Sequence, residues 1–348
     1  MLRLPATALV AGFFLLLNTA TVNAGPGEDW ARITALDAGP QGSLRTKAEV
    51  QAAAVAHLGQ QERALRDFLT AHASDERTFE ARLRLARLLQ IRADFEGAER
   101  LRAESRKLLE TLALNATPAQ RTELDFVRLT MLMRSRRAAA ASHREELLTA
   151  ARTFQSAHPG DRRVASALVE IASLYDAQPV QKRTILSEGR QLTDNDDLRR
   201  RIDDDLKRLD LLGTIPPLRG TTLAGKQWDI AEQQGKVVVA VFFADWSPPS
   251  VAAAIDARKA LAALPQQKIS VVGISLDGKP EAAAAILKQA GATWPVLCDG
   301  KGWMGPLVRE LGVNTLPAIW LCDPKGRLRV LNAREALASQ VQALLGER

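Results

Sequence analysis

Few residues in this chain could carry covalent chemistry. Its 348 residues include two cysteines, Cys298 and Cys322, too few for a disulfide framework or for a zinc site built on thiolates. Ser247-Pro248-Pro249-Ser250 follows Trp246 at the end of a long apolar run. A serine followed by proline starts a helix well: the hydroxyl can cap, and proline lacks only a donor that the first turn leaves unpaired. That role asks for no reactivity. A nucleophilic serine would need a base, and residues 213–348 contain no histidine, so a Ser-His relay within that segment is unavailable. Neither His72 nor His158 has a second His at i+4, the spacing a helical metal site uses. Each precedes an Asp three residues on, and a helix-terminal imidazole complements the helix dipole. No metal site and no cofactor is expected.

The elements that must position these residues fall into blocks. Met1 to Arg3 give a short basic start, Ala6 to Leu17 run apolar, and Val22-Asn23-Ala24 offers a small-residue cleavage pattern. That reads as a signal peptide over residues 1–24, since about a dozen apolar residues fall short of the ~20 a spanning helix needs. Export to the periplasm or another extracytoplasmic compartment follows, with no membrane span left after cleavage. Residues 25–45, rich in Gly, Pro and Asp with Trp30 as the one large anchor, read as a partly ordered, flexible arm. Residues 46–212 carry apolar positions at helical spacing, as at Val164, Leu168, Ile171 and Tyr175, and read as a helical-hairpin domain. Phe68, Ala71, His72 and Asp75 recur as Phe154, Ala157, His158 and Asp161, a faint repeat that resembles tetratricopeptide-like arrays without their Trp, Gly and Tyr pattern. The charge-laced stretch Asp194 to Asp210 reads as a solvated helix.

From Gly213 onward the pattern changes. Val237 to Phe243, Ile269 to Leu276 and Ala318 to Cys322 read as buried strands, and Arg327 to Leu331 as a closing one after the turn Asp323-Pro324-Lys325-Gly326. Helices are expected at Ser250 to Leu264, Pro280 to Ala290, Met304 to Leu311 and Arg334 to Leu345. Strands alternating with helices imply an α/β domain with a mixed sheet over 213–348. The hydrophobic fraction of 46% and charged fraction of 25% are those of globular chains and exclude a disordered one. The formal charge of +7 divides almost evenly between the two halves, which argues against a nucleic-acid-binding stripe.

Several motifs together make residues 211–348 similar to the exported TlpA/ResA type of thiol-disulfide oxidoreductase, a thioredoxin-like family. They are Pro216-Pro217-Leu218, Thr222-Leu223-Ala224-Gly225-Lys226, Gly235-Lys236-Val237-Val238-Val239, Phe242-Phe243-Ala244-Asp245-Trp246-Ser247-Pro248-Pro249-Ser250, and Gly312-Val313-Asn314-Thr315-Leu316-Pro317. Together with the helical-hairpin array read over residues 46–212, the resemblance implies an α plus α/β chain that ends in a thioredoxin-like mixed-sheet domain. In active members the two serine positions are cysteines, the first ionised at a helix N-terminus and the second resolving the mixed disulfide. Trp246, Ser247, Pro248, Pro249 and Ser250 therefore form a degenerate motif with no catalytic residue. Pro317 aligns with the family's cis-proline, and Thr315, Leu316 and Pro317 with Trp246 and Pro249 would frame a groove that pairs with an extended protein or peptide segment. On that fold Cys298 and Cys322 stand on strands two or three steps apart, beyond the ~7 Å at which Cα atoms can be bridged. The expectation is a redox-silent, exported protein-binding or scaffold module. The alternatives are a divergent oxidoreductase or antioxidant protein using Cys298 or Cys322, and a protein whose helical array carries the function.

Overall fold

The structure is a computed structural model that describes residues 25–40 and 46–347. The signal-peptide reading of residues 1–24 lies outside the described residues, as do residues 41–45 of the arm. The chain forms two compact units, one up to Met131 and one from Leu132.

In the first unit, the residues expected to form an arm instead make a helix, α1 (Pro26–Ala35). Pro26 opens it, Glu28 and Asp29 occupy its first turn, and Trp30 anchors it against Phe68 with ring centroids 5.2 Å apart. Then come α2 (Lys47–Ala71), α3 (Thr78–Glu96), α4 (Glu99–Leu114) and α5 (Pro118–Arg136), the last crossing into the second unit. Thr46 and Glu49 form a reciprocal capping box at the start of α2, each side chain accepting the other's N–H, at 3.1 and 2.9 Å. Ile33, Leu65, Phe68, Leu85, Leu89 and Leu101 share one core. His72 ends α2, and its Nε2 lies 2.8 Å from Asp29 of α1.

The second unit begins with the end of α5 and continues with α6 (Arg144–Ala157), α7 (Val164–Ala172), α8 (Pro179–Leu192) and α9 (Asp196–Asp210). The expected face of Val164, Leu168, Ile171 and Tyr175 is buried throughout. A hairpin of β1 (Arg219–Thr221) and β2 (Gln227–Asp229) precedes the main sheet. That sheet consists of β3 (Val237–Phe243), β4 (Ile269–Ser275), β5 (Val296–Leu297), β6 (Ala318–Cys322) and β7 (Leu328–Val330). Its order is β5-β4-β3-β6-β7, with β3 parallel to β4 and antiparallel to β6. Helices α10 (Pro248–Leu261), α11 (Pro280–Ala290), α12 (Pro306–Glu310) and α13 (Leu337–Gly346) complete a thioredoxin-like mixed-sheet domain.

The central strand β3 is buried at every position because both faces are covered. Alternate residues feed two cores: Val238, Ala240 and Phe242 with Trp320 and Leu218 on one face, and Val237, Val239, Val241 and Phe243 with α10, α11 and α13 on the other. Both sheet edges are occupied by the strap of residues 213–223. Gly213 N–H donates to Leu328 of β7 at 2.8 Å, and Leu223 N–H donates to Val296 of β5 at 2.9 Å. Paired edges are closed to further strands. The sequence boundary at 212/213 separates helices from strands, whereas the compact units divide between Met131 and Leu132, so α6 to α9 group with the sheet.

Candidate polypeptide groove

Strand β3 delivers the chain to Ala244, Asp245 and Trp246, and Ser247 is the residue before the first turn of α10. The hydroxyl of Ser247 makes no cap hydrogen bond, contrary to what its position suggests. Pro248 and Pro249 remove the first two donors of the turn, and the next one, Ser250 N–H, donates to the main-chain carbonyl of Ser247 at 2.8 Å. Ser250 takes the structural role instead. It is wholly buried, its Oγ accepts the N–H of Ala244 at 3.1 Å, and its own proton faces the carbonyl of Ser247 at 2.8 Å. The hydroxyl thereby ties the end of β3 to the start of α10.

Beside this junction lies an acidic residue that sequence reading did not single out. Asp277, 1% exposed, accepts the N–H of Asp245 at 2.7 Å and the hydroxyl of Ser275 at 2.7 Å. Burial holds its carboxyl above the ordinary aspartate value. Trp246 is 51% exposed, donates from its indole nitrogen to the carbonyl of Leu276 at 3.4 Å, and packs 5.9 Å from the ring of Trp303. No signal in the sequence linked these two tryptophans, because their proximity depends on how the loops after β3 and β5 fold.

The Leu316–Pro317 bond is cis. Pro317 and Pro249 line a groove of about 670 Å³ whose floor is Ala252, Ala253 and Ala257 of α10 with Ile319 of β6. Its far wall is the segment Arg334 to Ser339 leading into α13, where Arg334 and Glu335 supply charge opposite Asp256. Of the residues expected to frame a groove, Pro249 and Pro317 do so. Trp246 stands apart with Trp303, Thr315 is exposed, and Leu316 packs into the opposite core. The expected helix at 334–345 starts only at Leu337, which leaves Arg334 to Ala336 as loop and as groove wall.

The two thiols are free. Cys322 ends β6 wholly buried, and burial pushes its thiol up to about 12. Cys298 follows β5, is partly buried, and points its Sγ at the carbonyl of Asp277 at 3.7 Å. Strands β5 and β6 are three places apart in the sheet, so the two cysteines cannot be bridged without rebuilding it. Among the described residues no cluster of three His, Cys, Asp or Glu side chains is placed to hold a metal ion. No helix among them is long and apolar enough to cross a membrane.

Solved structures similar to the C-terminal part include the thioredoxin domain of a thiol-disulfide oxidoreductase from Bacteroides vulgatus, 19% identical over 39% of this chain and 98% of that one, with a TM-score of 0.35. A thiol-disulfide oxidoreductase from Bacteroides fragilis is 24% identical over 38% and 98%, TM-score 0.34. A secreted disulfide oxidoreductase of Mycobacterium tuberculosis is 24% identical over 36% and 95%, TM-score 0.32. No curated protein matches the chain. Residues 213–331, about a third of the chain, match the AhpC/TSA family, and the thioredoxin-like mixed sheet lies within that segment.

Proposed function

We propose that the chain is an exported protein whose TlpA/ResA-type thioredoxin domain recognises extended polypeptide without exchanging disulfides. The observation that carries this reading is the state of positions 247 and 250. Oxygen stands where the exchange chemistry of the fold uses sulfur, and the Ser250 hydroxyl is buried and spent on backbone hydrogen bonds. An alcohol neither forms nor exchanges a disulfide. Neither remaining thiol substitutes: Cys322 is sealed in the core with its thiol held protonated, and Cys298 has no partner cysteine within reach. The groove between Pro249, Pro317 and Arg334 remains, and it supports the polypeptide reading where both sheet edges already carry bonds to the strap. Export is supported by the pattern of residues 1–24.

The test is insulin-disulfide reduction by the protein from residue 25 onward. No turnover is expected, and Ser247→Cys with Ser250→Cys is expected to confer it. Turnover by the natural sequence that survives Cys298→Ala with Cys322→Ala would sink the proposal. A second reading, a divergent oxidoreductase using Cys298, is favoured by one contact: the thiol lies against Asp277, whose carboxyl holds the loop carrying Trp246. Rapid alkylation of the native protein at pH 6 would support that reading, and thiols that react only after unfolding would remove it.

A further inference from the structure

Two loops carry groove-lining residues, Pro317 on one and Arg334 to Ala336 on the other, and each is gripped by the helices that precede it. The first loop runs from Gly312 to Pro317. Arg208 of α9 donates to the carbonyl of Gly312 at 2.9 Å and to Oδ1 of Asn314 at 2.5 Å, and its other terminal nitrogen pairs with Asp205. Asn314 donates in return to the carbonyl of Arg201 at 3.1 Å and to Asp205 at 3.0 Å. Lys207 adds a bond to the carbonyl of Arg309 at 2.9 Å. The Arg208 and Asp205 side chains are only 12% and 11% exposed. On a helix otherwise studded with solvated charge, this pair is sunk into the loop. Backbone meets backbone as well: a Cβ at Gly312 would stand 2.7 Å from the carbonyl oxygen of Asp204. A buried network with every partner in place holds one arrangement, because displacement strands a charge.

The second loop runs from Asn332 to Ala336. Asn332 donates to Asp176 at 3.1 Å, and the other oxygen of Asp176 takes Lys182 of α8 at 2.6 Å. Arg334 donates to Asn332 Oδ1 at 2.9 Å. A chain of polar contacts thus runs from α8 through Asp176 and Asn332 to a side chain that lines the groove.

We propose that residues 173–212, comprising α8, α9 and the turn before them, brace the groove, with Arg208 positioning the loop that presents Pro317 and Asp176 positioning the Arg334–Ala336 wall. Polypeptide binding in the groove is then coupled to the packing of these helices. The coupling rests on the reading of the groove as a polypeptide site, whereas the brace rests only on the contacts above. Coupling is reciprocal: loosening α9 weakens binding, and binding stiffens α9.

Hydrogen exchange followed by mass spectrometry on the chain from residue 25 onward tests the brace, and S-carboxymethylated insulin B chain serves as an extended probe that offers no disulfide. In Arg208→Met, amides of 309–316 are expected to exchange at least tenfold faster, with β3 and β4 unchanged. In Asp176→Ala the same is expected of 331–336. Each variant is expected to bind the probe at least fivefold more weakly, Arg208→Lys to recover part of the loss, and the probe to slow exchange in α9 of the natural sequence. Leu148→Ala in α6 is the control, a core truncation that lowers thermal stability while leaving both loops and probe affinity alone. Unchanged exchange at 309–316 in Arg208→Met overturns the brace. Faster exchange with full probe affinity overturns the coupling. If the natural sequence takes up no probe, the polypeptide reading and the coupling both fall, while faster exchange at 309–316 still supports the brace.

Discussion

The two serines at the start of α10 stand in different surroundings. Ser250 accepts the N–H of Ala244, which is itself wholly buried, so removing the hydroxyl strands a backbone donor in the core. Ser250→Ala should destabilise by about 1–3 kcal/mol in urea unfolding. Ser247 makes no side-chain bond at the helix start, so Ser247→Ala should stay within about 0.5 kcal/mol of the natural sequence. The thiols divide in the same manner. Cys322, wholly buried and with its thiol raised to about 12, should resist iodoacetamide until the protein unfolds, so native labelling read by mass spectrometry should stop at one adduct, on Cys298. Asp277 offers a pH signature. Burial raises its carboxyl above the ordinary value, so near and below its folded pKa the native state binds more protons than the unfolded chain, and stability falls as pH rises through that range. Asn keeps an acceptor for Asp245 N–H and a donor for Ser275 without the charge. Relative to Asp277→Asn, the natural protein should therefore gain thermal stability as pH is lowered from 8 toward 5; a gap that stays constant would show that the buried carboxyl is not the cause.

Elements built from local patterns were readable in the sequence, and those set by distant contacts were not. The run Val237 to Phe243 and the helix Pro280 to Ala290 carry their own signals and fold where expected. The helix expected from Arg334 begins three residues later because Asn332 and Arg334 are drawn into contacts with each other and with Asp176, which no local pattern records. The groove shows the same division. Pro249 and Pro317 were visible through their motifs, whereas its far wall comes from a segment with no motif. Leu316 is a different case, because its placement follows a signal that the sequence does hold. Period-two alternation groups it with Ala318, Trp320 and Cys322 on one face and leaves Pro317 with Ile319 on the other, where the groove lies. Helix α9 reads as a solvated, ion-paired helix and mostly is one, yet Asp205 and Arg208 are buried against Asn314. Gly312 makes that approach possible: its φ is +67°, and a side chain there would meet the Asp204 carbonyl. Gly312→Ala should cost about 2 kcal/mol or more, since the left-handed conformation alone costs an L residue about 1–2. Melting curves beside those of Gly213→Ala, whose Cβ would meet nothing within 4 Å despite a φ of +80°, separate the collision from the backbone cost.

Across the whole molecule, the internal repeat and the packing divide the chain differently. Phe68 with His72 and Phe154 with His158 form matching ring pairs, with centroids 5.1 and 4.9 Å apart. Each pair is followed by an Asp that accepts the N–H of an Arg two residues on, Arg77 in one copy and Arg163 in the other. The copies nevertheless belong to different compact units, because α6 to α9 join the thioredoxin-like sheet. A repeat records a local helical corner, whereas a unit records which surfaces are buried together, and the second is what sets cooperative stability. Leu211 and Leu212 pack against the sheet core, and Arg208 and Asp205 hold the Asn314 loop, so a fragment that starts at Gly213 forfeits all of these. Burial of the two leucines alone is worth about 3 kcal/mol, which at this size lowers the melting temperature by about 10 °C. A fragment starting at Arg137 should therefore melt cooperatively and well above one starting at Gly213. Equal melting temperatures would make residues 213–348 an autonomous domain and reduce α8 and α9 to an appendage, a result that would also remove the physical basis for any coupling between those helices and the groove.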